Sequence, residues 1–478
     1  MSITRKQLVK QYVAAIRNGH AALFVGAGLS RAGGFVDWKG LLRGCAEEIG
    51  LDLDREYDLV AVAQYYLNLH TNNRAGLSQV LRDEFDRHGV YTENHELIGR
   101  LPVPTVWTTN FDTLLEQGYA RAGRNVDVKS ADAHIAIPKK RRDVVLYKMH
   151  GDITRLDEIV ICKADYERYA RDHPVFQTTL EAELVAKTFL FLGFSFADPN
   201  LNYMLGHLHA LLQGNQHAHF AVMRRARQNL ALGDEGRSAF EYDRNRQDLQ
   251  IRELARYNIQ THLIDRFSEV TEILRAVDEA AHRKDVFVSG SADKYDADFP
   301  EERMRDLCMH FGELLMEQDY KLISGIGLNI GDSLVKGALV SLHLKKDAAF
   351  EDHLMLRPFP RNLPPSVDES RFMDDYRHQM IARCGFAVFI SGTSRSSLVS
   401  RGVMEEYRIA RELKKIPIAI GATGYAAERI WSELREQREA VYGGAVPAAL
   451  YDRLNDRSLS NEQLLQTVFQ IMERVSAL

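Results

Sequence analysis

The stretch AALFVGAGLSRAGG, residues 21–34, joins an apolar run to a glycine-rich turn. Gly26, Gly28 and Ser30 come directly after the run. Glycines at such a strand end let the backbone approach a phosphate closely, and the amides of a following helix attract negative charge. Arg31 stands where the ordinary dinucleotide fingerprint has its third glycine. The stretch predicts nucleotide binding, with a tight strand–helix turn that binds no ligand as the alternative.

Short apolar runs alternate with helical patterns on the C-terminal side of this stretch. Buried strands are predicted at Ala21–Val25, Thr105–Thr109, Val144–Met149 and Thr188–Leu192. Helical patterns between these strands include residues 38–49, 58–69 and 77–87. Strands that alternate with helices predict a parallel sheet covered on both faces.

A second series of strands begins near residue 285. The segments VFVSGSA, YKLISGIG, GFAVFISG and IPIAIGATG each predict a strand that enters a turn rich in glycine or serine. Region 222–282 is rich in charge and predicts a mostly helical, solvated hairpin or connector. The chain is therefore expected to form two α/β domains, residues 1–282 and 283–478.

Composition limits the function classes. The chain has 478 residues, 27% of them charged and 45% hydrophobic, with a net charge of −5. This mild acidity excludes a nucleic-acid binder that works through bulk charge. The longest apolar stretch, residues 188–197, is too short to span a membrane. Charged residues interrupt the N-terminal stretch, which argues against a signal peptide. A soluble cytoplasmic protein is therefore expected.

The four cysteines are far apart, at Cys45, Cys162, Cys308 and Cys384. Without a paired CxxC motif, a zinc site of cysteine knuckles is excluded, and no HExxH-like helix is present. Low number and wide spacing also argue against a disulfide framework, which fits a reducing compartment. No metal is expected in this protein.

Polar residues follow three further strands in the first half. The segments that carry them are WTTNFD at 107–112, KMHGD at 148–152 and FLFLGFSFADPN at 189–200. The first two have purely structural alternatives: an Asx turn or helix cap for Asn110 and Asp112, and a surface or satisfied core histidine for His150. In a parallel sheet the carboxyl ends of strands line the ligand crevice. The convergence of all these groups on one crevice favours a functional site.

The four motifs, taken in their order along the chain, resemble those of the sirtuin family. The matching positions are Gly26–Ser30, Thr108–Asp112, His150–Gly151 and Gly193–Ser195. The resemblance implies a Rossmann-type sheet that binds NAD in this crevice, with its pyrophosphate at the Gly26 loop. The implied NAD-binding residues are Gly26, Ala27, Gly28, Ser30, Asp112, Gly193, Ser195 and Asp198. The four-cysteine zinc module of protein deacylases has no counterpart here, which argues against deacylation.

Without an acyl-lysine, water is the simplest acceptor for the ribose C1′ atom. Asn110 is then expected to hold the ribose hydroxyls or the attacking water, and His150 to act as general base. Asp112 is expected to orient Asn110 or the ribose. The alternatives are an NAD-dependent protein deacylase and a nucleotide sensor or scaffold that does not turn over its ligand.

The second half repeats the pattern of glycines at strand ends but shows no nucleophile–base pair. Arginine can hold a phosphate through two hydrogen bonds, and glutamate can accept from ribose hydroxyls or an adenine amine. Arg377 and Glu406 are candidates for these contacts, with structural ion pairs as the alternative. This half therefore predicts a binding domain and not a second enzyme.

The whole chain closely resembles the sirtuin-like effector family of the Thoeris anti-phage defence system. The most specific segments are DLVAVAQYY, TENHELIGRLP, VVLYKMHGD, KTFLFLGFSFADPNL, LRPFP and IGATGY. The resemblance implies a C-terminal SLOG domain, Rossmann-like in fold, that senses a cyclic ADP-ribose isomer made by a TIR-domain partner, ThsB. The first domain would then hydrolyse NAD+ and deplete the infected cell of it.

The same resemblance assigns roles to individual residues. Asn110 and His150 match the catalytic pair, and Arg377 and Glu406 match signal-binding positions, whereas Arg395 aligns only loosely. The implied signal-binding residues are Ser289, Gly290, Gly325, Gly327, Leu328, Arg377, Arg395 and Glu406. A homotetramer, with larger assemblies as an extension, is also implied.

Overall fold

A computed structural model describes residues 2–56, 58–85, 89–228, 233–345, 350–360 and 363–477. The chain divides into two compact units, Met1–Ala281 and His282–Leu478. Each unit has its own parallel sheet and its own hydrophobic core. The predicted α/β class with two parallel sheets is confirmed.

The first unit is built on a seven-stranded sheet. Its strands are β1 (Ala21–Val25), β2 (Thr105–Thr108), β3 (Val126–Lys129), β4 (Val144–Lys148), β5 (Thr188–Leu192), β6 (His219–Arg224) and β7 (Ile259–Ile264). They lie in the order β3-β4-β2-β1-β5-β6-β7, and all neighbours pair in parallel. Two of the four predicted strands have the predicted bounds, and the other two, β2 and β4, end one residue early.

Both faces of this sheet are buried, which explains its unbroken apolar runs. In β1, Leu23 and Val25 join the core on one face, whereas Ala22 and Phe24 join the core on the other. Successive side chains of a strand point to opposite faces. A central strand covered by helices on both sides therefore has no polar alternation.

The strands of this unit alternate with helices. They are α1 (Arg5–Arg17), α2 (Ala27–Ser30), α3 (Trp38–Leu41), α4 (Arg43–Glu48), α5 (Leu59–Leu69), α6 (Ala75–Phe85), α7 (Glu93–Arg100), α8 (Leu114–Arg121), α9 (Asp132–Ile135), α10 (Lys163–Asp172), α11 (Pro174–Ala186), α12 (Pro199–Leu212), α13 (Gly233–Arg256) and α14 (Ser268–Ala281). The helix predicted at 77–87 corresponds to α6, and residue 87 lies outside the described residues.

Two predictions for this unit are wrong. The single helix predicted at 38–49 is two short helices that meet at Leu42, because Gly40 and Gly44 both weaken a helix interior. The second is wrong only in part: α13 and α14 confirm the helical character of region 222–282, but the region is not only a solvated hairpin or connector, since it contains the end of β6 and all of β7. Strand β7 lies at the sheet edge, where its burial is incomplete and its sequence IQTHLI mixes polar with apolar residues.

The second unit has a five-stranded parallel sheet in the order β10-β9-β8-β11-β12. Its strands are β8 (Asp285–Ser291), β9 (Lys321–Ser324), β10 (Leu354–Leu356), β11 (Phe386–Ser391) and β12 (Ile416–Ile420). Its helices are α15 (Glu301–Glu317), α16 (Gly331–Leu344), α17 (Phe350–His353), α18 (Glu369–Ile381), α19 (Arg401–Glu412), α20 (Tyr425–Glu436), α21 (Arg438–Tyr442), α22 (Ala448–Asp452) and α23 (Asn461–Ser476). No helix within the described ranges is both long and apolar enough to cross a membrane.

Each sheet contains one point where the strand order reverses direction. In the first unit the chain leaves β1 for β2 on one side, and β5 later adds on the other side. In the second unit β8 stands in the same way between β9 and β11. Ligands of open parallel sheets bind at the carboxyl ends of the strands beside such a point. The predicted site residues of both halves lie at these ends or on helices next to them.

Candidate functional site

The glycines after β1 let two strand ends approach closely. The amides of Gly26 and Gly28 donate to the carbonyls of Leu192 and Gly193, both at 2.9 Å. A Cβ atom on Gly26 would lie 2.5 Å from the Gly193 carbonyl oxygen, and one on Gly28 would lie 2.8 Å from it. These two amides are thus engaged within the protein, and α2 is a single turn. Gly26 and Gly28 therefore allow the ends of β1 and β5 to pack closely, and the predicted contact of this loop with a phosphate stays a prediction.

A buried hydrogen-bonded chain connects three predicted site residues. The Asn110 amide nitrogen donates to the Ser30 hydroxyl oxygen at 2.9 Å and to the Gly26 carbonyl at 3.2 Å. The Ser30 hydroxyl in turn donates to Oδ2 of Asp112 at 2.7 Å. Within the described residues, Oδ1 of Asn110 has no hydrogen-bond partner although it is buried. These hydrogen bonds therefore fix the Asn110 amide group and leave its side-chain carbonyl oxygen available to a ligand.

His150 follows β4 and is only 1% exposed. Its Nε2 atom lies 3.0 Å from Oδ2 of Asp198, but neither ring nitrogen makes a well-directed hydrogen bond to another described residue. Tyr166 packs edge-on against the imidazole, with ring centroids 5.3 Å apart. The position of the ring is thus set by packing, and its nitrogens retain the capacity to exchange a proton.

Asp198 places a carboxylate beside this imidazole. Its Oδ1 atom caps α12 by accepting from the Leu201 amide at 2.8 Å. Burial raises the pKa of Asp198, but His150 and the amides of Leu201 and Asn200 outweigh burial and hold that pKa below its ordinary value. Asp198 is therefore ionised at neutral pH and places a negative charge beside the imidazole.

These groups surround a cavity of about 490 Å³. His150, Asp198, Gly28, Gly193 and Ser195 line it, and so do Ala27 and Thr109. Asn110, Ser30 and Asp112 line a smaller adjoining cavity of about 20 Å³, which shares Ala27 and Thr109 with the larger one. The structure thus places all the predicted NAD-site residues except Gly26 on the two adjoining cavities, and the Gly26 carbonyl accepts from the Asn110 amide.

Several lining residues were missed by sequence reasoning. An apolar wall is formed by Trp38, Tyr166 and Phe194, and two further carboxylates are contributed by Asp37 and Asp58. Asp37 and Asp58 cap α3 and α5 through their side chains. A capping aspartate is a common sequence feature, so its second role in lining a cavity gives no separate signal. Among the described residues, no group of three or more His, Cys, Asp or Glu is arranged to hold a metal ion.

The second unit brings three predicted signal-binding residues together. The Ser289 hydroxyl on β8 donates to Glu406 on α19, and Nε of Arg377 on α18 lies 3.5 Å from the same carboxylate. Burial raises the pKa of Glu406, while Ser289 and Arg377 offset part of that effect. Nε of Arg377 makes no well-directed hydrogen bond to any described residue. Nε of Arg377 is therefore a hydrogen-bond donor that a ligand can use.

The glycines of this unit again mark a close approach. A Cβ atom on Gly327 would lie 1.8 Å from the Gly290 carbonyl oxygen, so the loop after β9 packs directly against β8. The Leu328 carbonyl accepts from the Ala292 amide at 2.9 Å. A Cβ atom on Gly325 would lie 2.4 Å from the Phe359 ring.

Arg377 and Arg395 have different surroundings. Arg377 lines a cleft of about 500 Å³ between α18 and α19, together with Arg371 and Arg401, which sequence reasoning missed. The side chain of Arg395 is 87% exposed, and its Nε atom lies 3.9 Å from Asp293. The structure therefore does not bring Arg395 into the Ser289–Glu406–Arg377 cluster.

Two protein families match the two halves of the chain. The family described as "SIR2-like domain" matches residues 104–260. The family described as "Sir2- and TIR-associating SLOG family" matches residues 269–475. The sirtuin-like and SLOG assignments made from the sequence are confirmed.

Curated relatives extend this similarity to nearly the full chain. "NAD(+) hydrolase ThsA" of Bacillus cereus (strain MSX-D12) is 37% identical, over 98% of this chain and 98% of its own length. The proteins of the same name from Cytobacillus dafuensis and Acinetobacter baumannii (strain 532279) are 34% and 33% identical, over at least 98% of each chain. With identities of 33–37% over nearly the full length of these relatives, the chain belongs to the ThsA family.

Proposed function

We propose that the first unit hydrolyses NAD+ to nicotinamide and ADP-ribose. The observation that carries this proposal is His150, buried beside an ionised Asp198 and facing a cavity large enough for a dinucleotide segment. The names of its full-length relatives, each an NAD(+) hydrolase, support the same reaction. A deacylase is not proposed, because no feature of the site favours an acyl-lysine over water.

The reaction exchanges one bond at the ribose C1′ atom. The bond from C1′ to the nicotinamide nitrogen breaks, its electron pair stays with the departing neutral nicotinamide, and a water oxygen forms the new bond to C1′. The water loses one proton in this step. Positive charge develops on the ribose as the bond breaks, so positioning and electrostatic stabilisation supply most of the catalysis.

The site residues have distinct parts in this proposal. His150 accepts the proton of water as general base, and Asp198 stabilises the imidazolium that results. Asn110 directs its unpartnered Oδ1 towards the water or a ribose hydroxyl, while Ser30 and Asp112 hold its amide in place. The aromatic wall of the cavity excludes bulk water, which strengthens these interactions.

Hydrolysis in water enriched in ¹⁸O tests the reaction directly. The proposal predicts equal amounts of free nicotinamide and ADP-ribose, with one ¹⁸O atom at C1′ of the ADP-ribose by mass spectrometry. A parallel sample with an acetylated peptide detects deacylation. O-acetyl-ADP-ribose in that sample would favour a deacylase, and no nicotinamide under any activating condition would favour a sensor without turnover.

We further propose that the second unit controls this activity in anti-phage defence. NAD+ is always present in a cell, so an uncontrolled hydrolase would kill its host. The proposed activator is a cyclic ADP-ribose isomer made by the TIR-domain protein ThsB, and the proposed assembly is a homotetramer that can grow larger. Support comes from the SLOG family match and from the Arg377 cluster. Sedimentation with and without the isomer tests the assembly.

A further inference from the structure

Lys148 is the last residue of β4, and its side chain is completely buried. Its ammonium group donates to the carbonyl oxygens of Phe111 at 3.0 Å and Asp112 at 2.7 Å. It also donates to Glu116 at 3.0 Å and to Asp152. A lysine ammonium has three N–H donors, so these four acceptors saturate it.

Three of the four acceptors belong to two loops that carry the proposed catalytic pair, and the fourth, Glu116, lies in α8. Phe111 and Asp112 come directly after Asn110, in the loop that leaves β2. Asp152 comes two residues after His150, in the loop that leaves β4, and it also accepts from the Thr154 amide at 2.9 Å. One buried charge thus connects the backbone beside Asn110 to the turn that carries His150.

Charge balance makes this connection strong. Burial alone would lower the pKa of Lys148, but Glu116 and Asp152 raise it above its ordinary value, so the ammonium stays charged. Hydrogen bonds from a charged donor are shorter and stronger than neutral ones. Lys148 does not line either cavity, so it does not touch a substrate bound there.

We propose that Lys148 is a positioning residue, which sets the distance between Asn110 and His150 by tying their loops together. This inference rests on the proposed NAD+ hydrolysis. Misplacing a reacting group by about 1 Å costs on the order of 10²-fold in rate. Removal of the ammonium is therefore expected to lower kcat by about that factor, while KM for NAD+ changes little because the cavity lining is intact.

The test compares a variant that removes only the Lys148 ammonium with a variant that also removes the charges of its two carboxylate partners. Lys148→Met leaves the carboxylates of Glu116 and Asp152 without their cation, so the triple variant Lys148→Met/Glu116→Gln/Asp152→Asn removes the whole charged cluster. The matched control is Lys129→Met/Asp127→Asn, which removes another buried lysine and its carboxylate 2.9 Å away, on the outer strand β3. The kcat and KM for NAD+ and the thermal unfolding midpoint are measured for the full-length chain, under conditions that activate the wild type.

The expected result is a fall in kcat of about 10²-fold in the triple variant with KM nearly unchanged, and a wild-type kcat in the control. A wild-type kcat in a folded triple variant, or an equal loss in the control, would overturn the inference. Hydrogen exchange gives a second readout that needs no turnover: amides 109–116 should exchange faster in Lys148→Met than in the wild type, and unchanged exchange there would also overturn it. If the wild type releases no nicotinamide, the proposed function fails while this exchange test still decides the role of Lys148.

Discussion

Individual side chains of the first unit carry the proposed chemistry, and substitution of either proposed catalytic residue tests it. His150→Ala and Asn110→Ala should each lower the rate of NAD+ hydrolysis by about 10²–10⁴-fold, or roughly 3–5 kcal/mol of transition-state stabilisation. The reason is that the first variant lacks the base and the second lacks the amide that the Ser30 hydroxyl holds in place.

The measurement is the release of nicotinamide, with His207→Ala as the control because His207 lies on α12 with its side chain 45% exposed. Circular dichroism establishes that each variant is folded. Wild-type turnover in both His150→Ala and Asn110→Ala would show that the reaction takes place elsewhere.

Glu406 should make the second unit less stable as the pH rises. Burial raises its pKa in the folded state, so the folded protein binds the proton more tightly than the unfolded chain does. The resulting stability is present below the unfolded pKa of about 4.3 and is lost as the pH rises through the folded pKa. Glu406→Gln keeps an acceptor for Ser289 and should remove this loss.

Urea unfolding of the full chain at a series of pH values above 4 measures this difference. Glu405→Gln is the control, since Arg408 holds the pKa of Glu405 below its ordinary value and the effect of Glu405 therefore has the opposite sign. A pH dependence that is the same in Glu406→Gln as in the wild type would refute the assignment.

The strands and loops of the first unit depend on the contact between the ends of β1 and β5. Gly28→Ala places a Cβ atom 2.8 Å from the Gly193 carbonyl oxygen, and backbone must move to relieve it. Overpacking of this kind costs about 1–3 kcal/mol, so the variant should be less stable and lose NAD+ hydrolysis.

Gly44→Ala is the matched control for Gly28→Ala. Gly44 is an exposed residue of α4, and a Cβ atom there would meet nothing within 4 Å. Alanine is the better helix former by about 1 kcal/mol, so this variant should be slightly more stable than the wild type in thermal unfolding. Equal stability of the two variants would contradict the packing role of Gly28.

In the first sheet, sequence patterns predicted the central strands well and the outer strands poorly, for a physical reason. β1 and β5 are covered on both faces, so their apolar runs are unambiguous. β3 has the sequence VDVK, and its two charges argue against a buried strand until Asp127 and Lys129 are seen to pair at 2.9 Å. The same holds for Lys148 beside the site, because an isolated lysine in a strand gives no hint of its carboxylate partners.

The sequence predicted that the site side chains would meet at the strand ends. It did not predict which hydrogen bonds these residues make. The order of motifs predicted that Asn110, His150 and Asp198 would meet at one edge of the sheet, and the structure places them around adjoining cavities. That the amides of Gly26 and Gly28 are already bonded, and that Arg395 lies apart from Arg377, depends on contacts between distant segments. Such contacts leave no local pattern in the sequence.

The chain as a whole is proposed to be a switch, and the strength of its signal contacts sets the response. Moving an equilibrium from about 1% to 99% active needs roughly 10⁴-fold tighter binding of the signal to the active state. Hydrogen bonds to charged groups contribute about 1.5–3 kcal/mol each, so Arg377→Ala should raise the half-activating concentration by about ten- to a hundredfold.

A titration of activity against the cyclic ADP-ribose isomer, with calorimetry of its binding, measures this shift. Arg435→Ala is the control, since Arg435 pairs with Asp452 at 2.8 Å on the exposed surface of the same unit. Activation and binding of Arg377→Ala that match the wild type would remove Arg377 from the signal site.

The most direct test of signal-gated NAD+ hydrolysis follows the loss of NAD+ by the purified full-length chain, with and without a panel of cyclic ADP-ribose isomers. Little loss is expected without an isomer, and rapid loss with equal release of nicotinamide and ADP-ribose is expected with one of them. His150→Ala should remain inactive in both conditions. Full activity of the wild type without any isomer would contradict gating, and no loss of NAD+ with any isomer would contradict the proposed hydrolysis.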